Sequence, residues 1–367
     1  MYALSFFVIV RLFGWRTAAV VALFRVGLTL TNFALGPLDA RILDDVTYAQ
    51  RAQELLAGGI GPWDVLSDAD ARDALFSRAG SRHVGFYFLN LAAQTAFGPY
   101  YSSGVLLNVV LSLIGARAVH GLALAFGEAP ARARRITLFF LFHWDVLAWA
   151  SFFNLKDTAV LTLAAWTLLW FLRTCEKPSA LRLGLTLLPL SVLTVFRWYV
   201  SALLIASFAA YGLLALRGWA RVALLAGSAL GAAVVLQTTI RFGLIHPAGL
   251  PGGAVRFFLT PQPWSVADHY GFLLVPATLH WLFAPLTLLG AVGLWTRLPR
   301  ARLVLLWFAL VLAFYAMVPL LQGPRHRYQT AFVLALMQFE GLRILCTQAL
   351  GRPRPRSQPQ GELACAA

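Results

Sequence analysis

Residues 275–296 read VPATLHWLFAPLTLLGAVGLWT, 22 consecutive positions without an Asp, Glu, Lys or Arg. At about 1.5 Å per residue, a helix of that length matches a hydrocarbon core of ~30 Å. Hydrocarbon offers no partner to an exposed N–H or C=O, so such a run must cross as a helix. Nine further apolar stretches fall roughly at residues 17–36, 102–123, 134–150, 156–173, 181–197, 199–216, 220–240, 302–320 and 328–345. The composition agrees: 59% of the 367 residues are hydrophobic and only 12% charged, unlike a soluble domain. The expectation is an all-α, polytopic membrane protein of about ten transmembrane helices.

Charge sets the orientation. Counting from a cytoplasmic N-terminus, one side collects Arg11 and Arg16, then Arg132, Arg134 and Arg135, then Arg173, Lys177 and Arg182. The alternation continues with Arg217 and Arg221, Arg297, Arg300 and Arg302, and finally Arg352, Arg354 and Arg356. Every short basic turn lands inside, which predicts an inner-membrane protein with both termini cytoplasmic. The net charge of +15 is thereby a topology signal, and nucleic acid is not an expected partner. The apolar patch Ala3 to Val10 leads to Arg11 and a further apolar run, so it reads as an interfacial lead-in rather than a cleaved signal. Cys175, Cys346 and Cys365 show no metal-ligand spacing, and no disulfide is expected.

The polar working face lies opposite the basic turns. One integrated membrane domain, residues 1–350, would carry a first outer loop at about 37–101, a second outer segment at about 241–274 and a flexible tail, 351–367. In the first loop, Asp44-Asp45-Val46-Thr47-Tyr48 opens an amphipathic helix with Val46, Ala49, Ala52 and Leu56 at helical spacing, stopping at Gly58-Gly59. It is expected to lie on the outer membrane surface. Capping explains one of the two aspartates easily and the second less easily. A second surface helix is expected from Val84 to Phe97, ended by Gly98-Pro99.

Further polar residues fall at outer span boundaries. Lys156 and Asp157 follow Asn154-Leu155 at membrane depth, where charge must be paired, exposed or used. Arg197 sits among aromatics in Phe196-Arg197-Trp198-Tyr199; Arg241 and Pro324-Arg325-His326-Arg327-Tyr328 add outer arginines. Guanidinium forks suit phosphate oxygens, although contact with phospholipid head groups explains any single one of them. The Pro- and Gly-rich segment 241–270 rules against a long helix and reads equally as a lid, bringing Asp268 and His269 near the membrane, or as a connector. His143 and Asp145, inside the third span, read as internal packing contacts rather than metal ligands.

At these motifs the chain resembles the GT-C superfamily, polytopic glycosyltransferases with polyprenyl-linked sugar donors, related to protein mannosyltransferases and lipid A aminoarabinose transferases. Asp44-Asp45-x-x-Tyr48 through Gly58-Gly59 is similar to the family's Asp-Glu-x-x-Tyr element, with Asp45 in place of Glu. Asn154-Leu155-Lys156-Asp157 is similar to a Leu-Lys-Asp outer turn, and Arg325 to Tyr328 to an arginine-bearing lead into a late helix. The resemblance implies inverting sugar transfer to a glycan, lipid or protein acceptor at the outer face of the cytoplasmic membrane, in cell-envelope glycan or glycoconjugate synthesis. It assigns catalysis to Asp44 and Asp45. Donor phosphate falls to Arg325 and Arg327, supported by Arg197, Arg241 and Lys156, with Tyr48, Asp157, His326, Asp268 and His269 as further candidates. No cofactor is required, while a divalent cation has room if Asp44, Asp45 and Asp157 converge. The alternative reading is a lipid-linked saccharide transporter or a noncatalytic partner in polysaccharide assembly.

Overall fold

The computed structural model describes residues 2–35, 43–80, 83–215, 246–266 and 268–350. Its secondary structure is helical throughout, with no strand among the described residues. The chain begins with α1 (Tyr2–Phe13) and α2 (Trp15–Leu35), separated only by Gly14. Gly14 has φ +82°, a backbone that glycine adopts without strain. α1 packs on α2 and, further along the chain, on the long helix beginning at Tyr101, burying Ile9 and Leu12.

Among its described residues, the expected first outer loop folds into four helices, α3 (Leu43–Ala57), α4 (Pro62–Ser67), α5 (Ala69–Ala79) and α6 (Val84–Phe97). The polar stretch before His83 thus carries two short helices that periodicity does not announce. Asp68 caps α5, accepting from the backbone N–H groups of Asp70 and Ala71. α3 presents Asp45, Tyr48, Ala49, Ala52 and Leu55 inward, and α6 packs along that face. The apolar stripe expected at Val46, Ala49, Ala52 and Leu56 is therefore shifted, because α6 covers the helix on the side of Tyr48.

The bundle follows with α7 (Tyr101–Ala125), α8 (Pro130–Leu141), α9 (Trp144–Phe152), α10 (Asp157–Glu176) and α11 (Ala180–Ala215). The expected span 134–150 is not one helix. It breaks between α8 and α9, where His143 accepts the backbone N–H of Asp145 and starts a new helix. The break is stabilised from α2: buried Arg25 donates to the Leu141 carbonyl at 3.4 Å and to Ser112 Oγ at 2.9 Å. A carbonyl freed by a helix break inside a bundle needs such a donor.

α11 reverses at Arg197, whose backbone is extended at φ −156°, ψ 89°. Ser201 Oγ donates to the Leu190 carbonyl at 3.3 Å, a pair eleven residues apart that a straight helix would separate by about 16 Å. The two stretches expected at 181–197 and 199–216 are the arms of this hairpin. Residues 220–240 and Arg241 lie outside the described residues.

The described part of the expected second outer segment contains a short helix, α12 (Leu250–Leu259), and three 3-10 turns. Then come α13 (Leu274–Arg297), α14 (Arg302–Met317), α15 (Pro324–Tyr328) and α16 (Ala331–Ala349). α13 and α16 touch backbone to backbone: a Cβ on Gly290 would overlap the Met337 carbonyl, and one on Gly341 the Leu286 carbonyl. Small residues are what let helices approach this closely.

Five described helical segments are long and apolar enough to cross a membrane: Tyr101–Ala125, Asp157–Glu176, Ala180–Leu214, Gly271–Arg297 and Pro299–Met317. The molecule is thus an all-α protein with the helices of an integral membrane protein. At one end of the bundle the basic turns are tied by ion pairs: Arg132 to Glu128 at 2.7 Å, Arg297 to Glu128 and Glu340, Arg343 to Glu340 and Arg300 to Glu176. The starts of α7, α10 and α16 and the reversal of α11 lie at the other end, where the acids of α3 also sit.

Candidate functional site

Asp44 and Asp45 are neighbours on the first turn of α3 and point apart, because successive helical residues are rotated by about 100°. Asp45 is buried. Its carboxylate accepts from the Tyr101 hydroxyl at the start of α7, and its backbone carbonyl accepts from Asn154 Nδ2 at 3.2 Å. Asn154 also donates to Asn90 Oδ1 at 2.6 Å, so α3, α6, α7 and the turn before α10 are joined at one point. Asp44 keeps a side chain 54% exposed and meets Arg325 Nη1 at 2.8 Å.

Arg325 reaches both ways. Its Nε donates to Asp157 Oδ2 at 2.9 Å, while Asp157 Oδ1 takes Arg197 Nη2 at 2.9 Å and Gln329 Nε2 at 2.6 Å. The reversal of α11 delivers Arg197, and the short α15 before α16 delivers Arg325 and Gln329. The fully buried Asp157 therefore has two cationic partners and an amide, the satisfaction a buried carboxylate requires. Tyr199 and Tyr315 close this layer: Arg197 Nη1 donates to the Tyr199 hydroxyl at 2.5 Å, and the Tyr315 hydroxyl donates to Gln329 Oε1 at 2.9 Å.

Lys156 and Asp157 diverge rather than pair. Buried Lys156 donates from Nζ to the Tyr48 hydroxyl at 2.7 Å, and Tyr48 is held edge-on by Phe86 and Tyr87. Burial pushes the Tyr48 hydroxyl up from its ordinary value, so it stays protonated at neutral pH. Burial works against ionisation of Asp44 too, but Arg325, through its hydrogen bond and charge, outweighs it and holds the carboxyl below the usual carboxylate range.

His83 is the one non-glycine residue with positive φ among the described residues, at +56°. Its Nδ1 lies 3.0 Å from the Phe196 carbonyl, beside the reversal at Arg197. Burial, then the charge of Lys156, pushes His83 down to about 4. His326 lies against the Tyr315 ring; burial, then the charge of Arg197, pushes it down to about 3. Both are neutral near pH 7.

Not every sequence candidate joins this cluster. Arg327 turns away and is buried, donating to the carbonyls of Phe258 and Thr260 and facing Asp145 at 3.8 Å. With His280, which lies 2.6 Å from the Phe258 carbonyl, it caps the C-terminus of α12, where the helix dipole and free carbonyls favour a cation. Asp145 and His143 belong to this second layer, His143 Nε2 lying 3.0 Å from Gln338 Oε1 of α16. The side chains of Asp268 and His269 lie outside the described residues, as does Arg241. Asp44 and Asp157 meet on Arg325 while Asp45 turns to Tyr101, so the three acids do not form one ligand set. Among the described residues, no three His, Cys, Asp or Glu side chains are grouped to hold a metal ion.

Sequence reading missed Gln329, Tyr101, Tyr315 and His83. The unusual backbone of His83 has no signature in residue type, and the other three are ordinary polar residues at helix ends. Compared with protein-family models, curated proteins and solved structures, the chain gives no match.

Proposed function

We propose that this chain is a membrane glycosyltransferase of the GT-C type, transferring a sugar from a polyprenyl phosphate or diphosphate to an acceptor hydroxyl. The observation that carries the reading is the meeting of half-exposed Asp44 with Arg325 at 2.8 Å, backed by buried Asp157, Arg197 and Lys156. An acid beside cations at the open end of a helical bundle suits a reaction that removes a proton on one side and expels phosphate on the other.

In this reading the acceptor oxygen attacks the anomeric carbon while its proton passes to Asp44. The bond from the anomeric carbon to the phosphate oxygen breaks, and the phosphate leaves with the electron pair. Arg325 meets the developing charge in a partly dry setting, with Lys156 behind it as a hydrogen-bond donor to Tyr48. One displacement inverts the anomeric centre and needs no second carboxylate as nucleophile. Arg197 orients Asp157, which aims Arg325; Asp45 and Tyr101 brace the first turn of α3; Arg327 anchors α12 rather than the donor. The charge pattern supports ten crossings with both termini cytoplasmic and the Asp44 side facing outward. Work in cell-envelope glycan or glycoconjugate synthesis follows from that face and that donor class.

The test is transfer of labelled sugar from a panel of polyprenyl-linked donors by protein purified with native lipids. Asp44→Asn and Arg325→Ala, matched to the unmodified chain in thermal unfolding, should each lose transfer by about a hundredfold or more. Transfer unchanged by Asp44→Asn would remove the base assignment. Saturable binding of lipid-linked glycan without turnover of any donor would replace the enzyme reading with transport or assembly.

A further inference from the structure

Arg325 holds two carboxylates in unequal ways. Asp157 is fully buried and takes three donors, from Arg325, Arg197 and Gln329. Asp44 is 54% exposed, and Arg325 is its ion-pair partner. An anion arriving from the open side would have to displace one of them. Losing Asp157 would strand Arg197 as an unpaired buried charge, whereas a released Asp44 turns into water that solvates it. Asp44 is the replaceable ligand.

Carboxylate and phosphate oxygens compete for the same guanidinium edge. The Asp44 carboxylate thus occupies Arg325 Nη1 as an internal surrogate for a phosphate oxygen. We propose that the Asp44–Arg325 ion pair is a latch opened by a phosphate ester, so that binding of the phosphate-bearing substrate is what frees Asp44 to accept a proton.

This rests on the glycosyl-transfer reading and gives it an order, phosphate-bearing substrate before acceptor. Paired with Arg325, Asp44 is a weak base because a cation stabilises its charged form. Released and facing a bound phosphate anion, it gains proton affinity. The coupling works in both directions, since phosphate must displace Asp44 and the unmodified chain therefore binds it less tightly than a chain without that carboxylate.

The experiment is isothermal titration of the full chain with a sugar-free polyprenyl phosphate in detergent micelles and, separately, with inorganic phosphate. Asp44→Asn should tighten binding about three- to tenfold, the range of one partly exposed charge-assisted contact. That gain should vanish when Arg325→Gln is already present, as a double-mutant cycle requires of a direct pair. Unchanged affinity in Asp44→Asn, or a gain that persists without Arg325, overturns the latch. Tightening with both ligands assigns the effect to the phosphate group itself, and tightening with the lipid alone assigns it to lipid phosphate. Infrared difference spectra of the unmodified chain keep the test independent of how the Arg325 variant folds. Phosphate should shift a carboxylate band that Asp44→Asn lacks, and the absence of such a band overturns the proposal. The two readings fail distinguishably: lost transfer with unchanged affinity removes the latch alone, and retained transfer with tightened affinity removes the base assignment and the proton step while leaving displacement of Asp44 by phosphate.

Discussion

Arg197 and Asp157 form a buried ion pair at 2.9 Å that joins the reversal of α11 to the first turn of α10. The same carboxylate also holds Arg325, so one buried acid links the interior of the bundle to the exposed Asp44. Asp157→Asn should destabilise the protein by about 3–5 kcal/mol, because Arg197 would remain buried without a charge partner. Replacing both residues with apolar side chains of similar volume should recover most of that loss. Thermal unfolding in one detergent checks both; a single variant as stable as the unmodified chain would sink the account.

Gly290→Ala and Gly341→Ala should each cost about 1–3 kcal/mol, since a methyl group at either position meets a backbone carbonyl of the facing helix and α13 must move away from α16. The same change at Gly27, around which space is open, is the comparison. Equal unfolding temperatures for all three variants would contradict the close approach of these helices.

Arg327→Met should loosen α12 without removing a member of the Asp44 cluster. Its guanidinium holds the carbonyls of Phe258 and Thr260; His280 stays beside the first, so losing Arg327 frees the part-buried Thr260 carbonyl at about 1–3 kcal/mol. Hydrogen exchange at residues 250–260 should quicken at least tenfold. Unaltered protection there would show that Arg327 does not anchor this helix.

Stability should fall on acidification between pH 6.5 and about 3. His83 and His326 have folded values pushed down to about 4 and about 3, against 6.5 when unfolded. Below pH 6.5 the unfolded chain takes up protons that the folded chain refuses. Their contribution is therefore complete above 6.5 and is lost as pH drops through the folded values. His83→Gln and His326→Gln should each flatten the decline in unfolding temperature over this window. A decline unchanged in both variants would locate the acid sensitivity elsewhere.

From sequence alone, the class of the molecule and the ends of its working parts were legible. Uncharged runs of membrane length admit only helices, because hydrocarbon leaves backbone groups no other partner. The basic turns at Arg132, Arg173 and Arg297 separate from Asp44, Asp157, Arg197 and Arg325 by a charge alternation that needs no contacts to read. Gly58-Gly59 ends α3, since a helix stops where its C-cap glycine can turn left-handed.

Only the tertiary structure decided which of these residues meet. Asp44 and Arg325 lie 281 positions apart, and no local pattern orders such a pair. Arg325 and Arg327 are two positions apart, about 200° around a helix, so one faces the open end and the other the carbonyls of α12. The sequence offers both as equivalent arginines. The break at His143 and the reversal at Arg197 likewise come from partners elsewhere: Arg25 for the carbonyl of Leu141, His83 for that of Phe196. Apolar periodicity cannot foresee these breaks, because it records which residues avoid water and not which buried polar groups find each other.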